Sequence, residues 1–126
     1  MKKRILFLVA GGAGLLALLS FNQVRQVDEG IPEEIGAILQ TSCFGCHNAE
    51  SRSDDAKKVV QFDQWDNYSV IKKISILEKM GEVLEEGKMP PPRFLENNPD
   101  KKPSEEHQQQ LVDWTKKESE RLMKGN

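Results

Sequence analysis

The pentapeptide Cys43-Phe44-Gly45-Cys46-His47 constrains this chain more than any other stretch of its 126 residues. Its two thiols stand about one helical turn apart, and an imidazole follows directly. That is the C-x-x-C-H signature of covalent haem attachment. Thiols so placed reach the two vinyl groups on one edge of a porphyrin, and the next residue brings its imidazole under the iron as proximal ligand. Gly45 suits a tight turn close to the ring, where a side chain would obstruct. Thioether bonds then retain the cofactor even in a small, loosely packed domain.

Three other chemistries share the pattern. A zinc site needs two further ligands, for which only His107 and carboxylates remain. A thioredoxin-type dithiol sits at a helix N-terminus after a strand. A Cys43–Cys46 disulfide closes a tiny loop, constrains little, and leaves His47 without a role. With only two cysteines, a disulfide-rich scaffold is excluded.

A haem iron with one histidine either takes a sixth ligand or leaves that position open. Met89 is the leading candidate, 42 positions after His47, in Gly87-Lys88-Met89-Pro90-Pro91-Pro92. The prolines stiffen its loop, so holding the thioether at the iron costs little entropy. Met80 reads as core on a helical stripe, Met123 lies at the C-terminus, and His107 reads as a surface residue beside Glu105 and Glu106. Trp65 and Tyr68 form an aromatic island with Phe62. Trp65 is placed in the haem pocket, packing on the ring or bonding a propionate, with an ordinary core role as the alternative. Arg93 is a further candidate for a propionate, or a solvated loop charge.

The N-terminus opens with Lys2, Lys3 and Arg4, followed by an apolar run over 5–21. This is the layout of an export signal, with a weak cleavage site that makes an uncleaved membrane anchor the alternative. The division expected is a signal peptide or anchor over 1–22, a linker over 23–31 and one domain over 32–124. The protein is expected to be exported and periplasmic, either soluble or held at the inner membrane by residues 5–21. Without Lys2, Lys3 and Arg4, the 18 basic residues become 15 against 20 acidic ones, a net charge of −5. Such a domain offers no basic field for nucleic acid.

Helical periodicity dominates the rest. A short helix is expected over 32–40, with Pro32 at its first position and Ile35, Ile38 and Leu39 on one face. The region 48–63 reads as a surface loop with one helical turn near Val59 and Val60. The clearest helix spans 69–86. Val70, Ile74, Leu77 and Leu84 form its stripe, Ile71, Met80 and Val83 widen it, and Gly87 is a left-handed cap. Ser104 caps a last helix running to about 124, with Leu111, Trp114, Thr115 and Leu122 near one face. No segment alternates with period two. The fold class is all-α, with about three main helices and long loops. In that layout Gly36 permits the first helix to cross the last close to Trp114.

Residues 32–122 resemble the haem-binding domain family of small exported bacterial c-type cytochromes. The resemblance rests on Cys43–His47, Phe62-Asp63-Gln64-Trp65 with Tyr68, and Gly87-Lys88-Met89-Pro90-Pro91. It continues through Asn98-Pro99-Asp100, Ser104-Glu105-Glu106, Leu111 and Trp114. It implies a cytochrome c-like domain holding one haem c through Cys43 and Cys46, with His47 and Met89 as axial ligands. The function expected is single-electron transfer with redox partner proteins, without an enzyme activity. The alternative is a haem-based sensor or gas-binding module with a displaceable sixth ligand.

Overall fold

The computed structural model describes residues 30–125, which are helical with no strand among them. The expected signal or anchor over 1–22 lies outside these residues, as does most of the linker. None of the described helices is long and apolar enough to cross a membrane. Five α-helices follow one another: α1 Glu33–Ser42, α2 Asp54–Val59, α3 Val70–Glu85, α4 Pro92–Leu95 and α5 Glu105–Lys124. Short 3-10 turns lie at Phe62–Asn67 and Pro99–Lys101. The three long helices are α1, α3 and α5, as expected.

Helix α1 buries Ile35, Ile38 and Leu39. Pro32 sits one position earlier than expected, at the N-cap with extended ψ. At the other end the amides of Cys43 and Phe44 both donate to Leu39 O at 2.8 Å. The helix therefore stops where the pentapeptide starts.

Helix α3 is capped at both ends, at Gly87 as expected and at Ser69 by a side chain. Ser69 Oγ accepts the Lys72 amide at 3.2 Å. At the C-terminus Gly87, at φ +65°, donates to Leu84 O and Lys88 donates to Val83 O. That pair of bonds is the Schellman arrangement, which needs a residue able to adopt a left-handed conformation. The apolar stripe is rotated from the expected one. Ile71 is 74% exposed, whereas Ile76 and Leu77 are buried. Lys73 is also buried, its ammonium 5.7 Å from the centre of the Trp65 ring.

Helices α3 and α5 form the principal contact of the fold. Leu77 and Leu84 meet a core shared with Leu111, Val112, Trp114 and Leu122. Gln108 Nε2 donates to Leu84 O at 2.9 Å, a second donor to the carbonyl that already accepts the Gly87 amide, and so ties α5 to the end of α3. The closest approach is at Gly81, where an added Cβ would lie 2.9 Å from Thr115 Oγ1. Helix α1 does touch α5, but Gly36 is not the residue that admits a close crossing. A Cβ there would meet only Ile31 Cγ2, at 4.0 Å.

Gly81→Ala follows as a stability test. Thr115 is buried, β-branched and stiff at χ1, and its hydroxyl donates to Val112 O at 2.8 Å. The clash costs about 1–3 kcal/mol, against a helix-propensity gain of up to about 1 kcal/mol. The expected net loss is about 1 kcal/mol, a drop of about 4–8 °C in thermal midpoint for a domain of this size. A rise in midpoint would show that the two helices are not in contact there.

Candidate haem site

The pentapeptide forms a turn immediately after α1. The amides of Cys46 and His47 both donate to Cys43 O at 3.1 Å. This turn carries the two thiols and the imidazole on the five residues of one hydrogen-bonded loop. Cys43 and Cys46 are free thiols. Burial, with a smaller contribution from nearby Cys46, pushes the Cys43 thiol up to about 11. Dithiol oxidoreductases need the opposite, a thiol made acidic by its surroundings. A cluster of three or more His, Cys, Asp or Glu side chains suited to a metal ion does not occur among the described residues. The zinc alternative lacks its further ligands there.

His47 is held from behind. Its Nδ1 lies 3.2 Å from Ala56 O and 3.3 Å from Val60 O, so it carries the proton and donates to these carbonyls. That tautomer leaves Nε2 as the free lone pair, the arrangement a ligating histidine requires. The ring also meets the edge of Phe62 at 5.9 Å. The backbone reinforces the placement, because the Phe62 amide donates to His47 O at 3.0 Å. Next to it, the Asp63 carboxylate accepts the Ala49 amide at 3.1 Å.

The two carbonyls come from α2 and its C-cap, in a region expected to be mostly loop. Ser53 caps the helix by accepting the Ala56 amide, with Asp54 and Asp55 in the first turn and Lys57 and Lys58 in the last. This charge order complements the helix dipole at both ends. The helix was legible in that order, although no residue of it is buried.

Cys43, Cys46 and His47 line a cavity of about 630 Å³. Its walls also include Phe44, Val60, Phe62 and, from α3, Ile76, Met80 and Val83. Met89, Pro90, Pro91 and Phe94 contribute a further segment. The size lies within the range of clefts that hold cofactor-sized ligands, about 300–1,000 Å³. Gly45 lines it too, and a Cβ there would meet nothing within 4 Å. The glycine keeps φ negative, so its contribution is open space beside the thiols, not an unusual backbone angle.

The structure therefore brings Cys43, Cys46, His47 and Met89 to one cavity. Met89 is 39% exposed there. Met80 lines the same cavity and also packs on the core. His107 and Met123 are exposed and do not line it. Trp65, expected in the pocket or in the core, does not line it either. Its ring packs against Trp114 at 5.9 Å and Tyr68 at 6.3 Å, within the core. The indole N–H is buried and meets no acceptor among the described residues. Tyr68 is outside the cavity as well, its hydroxyl oxygen accepting the Gln61 amide at 2.9 Å.

Among the described residues the fold is helical, and it encloses an apolar cavity that bears two thiols and an imidazole, a lining suited to haem. The sequence comparison agrees: the chain belongs to the haem-binding domain family, whose profile matches residues 53–117, just over half its length. The match takes in α2, α3 and the Met89 loop, and begins six positions after His47. No curated protein and no solved structure shows significant similarity to the chain.

The residues fit such a group. The thiols provide the two attachment points, His47 presents a free ring nitrogen, and the walls are chiefly apolar.

Proposed function

We propose that this protein is a monohaem c-type cytochrome that carries single electrons. Cys43 and Cys46 would attach the haem covalently, with His47 and Met89 as axial ligands. The observation that supports it most strongly is the His47 tether. Its Nδ1–H donates to Ala56 O and Val60 O, while the ring lines the same cavity as both thiols and Met89. When bound, haem supplies an iron that exchanges one electron between ferric and ferrous forms.

The chain's own residues do the rest. The two carbonyls keep the imidazole in one tautomer and orientation and raise its basicity as a ligand. The Pro90–Pro92 run stiffens the segment that carries Met89, so its thioether would be held in one place with little freedom to rearrange. Apolar walls from Ile76, Val83 and Phe94 limit water in the cavity, and a thioether ligand raises the potential. The same reading extends to an exported, periplasmic protein, soluble or anchored through residues 5–21, that meets redox partner proteins and catalyses no reaction itself.

Carbon monoxide addition to the reduced holoprotein tests electron transfer against sensing. A carrier with both axial ligands in place is expected to stay low-spin in both oxidation states and to leave its spectrum unchanged under carbon monoxide. Rapid formation of a carbon monoxide complex, or a high-spin resting spectrum, would contradict electron transfer and support the sensor or gas-binding alternative.

A further inference from the structure

A haem carries two propionates on the porphyrin edge away from its vinyl pair. These carboxylates cannot lie unpaired against an apolar wall. The charged side chains on the wall of the cavity are Asp55 from α2, Lys79 from α3 and Lys101 from the 99–101 turn. The remaining titratable groups there are Cys43, Cys46 and His47, already assigned to attachment and ligation. Arg93, the candidate suggested by the sequence, is not on the wall.

Both lysines now pair with carboxylates that lie outside the cavity. Lys79 Nζ is 2.8 Å from Glu82 and Lys101 Nζ is 3.4 Å from Asp100. These side chains are well exposed, at 57% and 52% for the first pair and 43% and 73% for the second. Such surface pairs contribute little and exchange readily. A lysine at a cavity rim lays its methylene stem along the apolar wall and keeps its ammonium at the water boundary. Lys79 is placed to do this, between Ile76, Met80 and Val83 on the wall-forming face of α3.

We propose that Lys79 and Lys101 are the propionate-binding residues of this cavity. They would fix which end of the pocket the carboxylate edge occupies once the vinyl edge is held at Cys43 and Cys46. This rests on the haem reading above. Each ammonium also places a positive charge near the iron, favouring the less positive ferrous form.

The test uses the holoprotein at fixed pH and ionic strength. Lys79→Gln, Lys101→Gln and the double variant are compared with wild type and with Lys117→Gln, an exposed α5 position away from the cavity. Covalent haem and a low-spin spectrum are checked first. The reduction potential is then measured, and the propionate-bending bands are read by resonance Raman. The expected result is a lower potential in each cavity variant, the largest shift in the double variant, and displaced propionate bands. Lys117→Gln should match wild type, and Lys79→Arg with Lys101→Arg should restore both readouts. Wild-type potential and bands in a fully haem-loaded double variant would overturn the lysine assignment alone. Wild-type protein without covalent haem would overturn the haem reading itself, and this assignment with it.

Discussion

Met89→Ala is expected to keep the haem covalently attached while losing the low-spin thioether-ligated spectrum. The weak far-red band of a ferric iron–sulfur bond should disappear. The reduction potential should fall by an amount on the order of 0.1–0.3 V, within the span of about 0.8 V that axial ligands command. On the proposed reading attachment would depend on Cys43 and Cys46, which lie on another segment of the wall, so haem content should not change. Met80 gives this test its control, because it lines the same cavity. Helix α3 holds Met80 partly within the core, whereas Met89 sits on a proline-bounded loop and is 39% exposed. Met80→Ala should therefore keep the far-red band and cost only packing. If Met80→Ala loses the band and Met89→Ala keeps it, the distal ligand is Met80.

Replacing both thiols, Cys43→Ala with Cys46→Ala, is expected to have the larger effect on cofactor retention. Wild-type haem should remain with the polypeptide through acid–acetone extraction, and the double variant should lose essentially all of it. Two thioethers would make cofactor binding intramolecular, so that retention would not depend on how well the small cavity closes. Without them, retention falls to what the axial ligands and the apolar walls supply. Each single variant should keep one thioether and stay resistant to extraction, with an altered haemochrome band. Resistance in the double variant would mean that the attachment lies elsewhere.

The parts of this fold with local causes were legible in the sequence. Gly87 ends α3 as expected, since a left-handed glycine acts within a few residues, and the Ser69 side-chain cap at the start is just as local. Ser104 caps α5 for the same reason, accepting the His107 amide. Helix α2 also had a local cause, in the order Ser53, Asp54, Asp55, Lys57, Lys58. It was underestimated because it lacks an apolar stripe.

Decisions made between distant residues were harder to read. Periodicity placed Ile71 on the apolar stripe of α3, yet Ile71 is exposed and Ile76, to which the stripe gave no role, is buried. One wall of α3 faces the cavity, so Ile76, Met80 and Val83 form an apolar face directed at the cofactor space as well as the core. Lys73 is buried with its ammonium over the Trp65 ring, which no charge pattern announces. Trp65 was expected in the haem pocket, with a core role as the alternative, and the partner its ring packs against is Trp114 on α5. The close helix approach belongs to Gly81 and Thr115, not to Gly36.

At the site, the pentapeptide announced the thiols and the imidazole. What it could not supply was the tether on His47. That depends on α2 folding back so that Ala56 O and Val60 O reach Nδ1 from 9 and 13 positions along the chain.

The most direct measurement is an optical spectrum of the full chain, produced through the periplasm of a host that matures c-type cytochromes and read before and after acid–acetone extraction. Haem that resists extraction, with a low-spin spectrum and the far-red thioether band, is the expected result. A colourless protein, or one whose haem is removed completely, would contradict covalent attachment through Cys43 and Cys46.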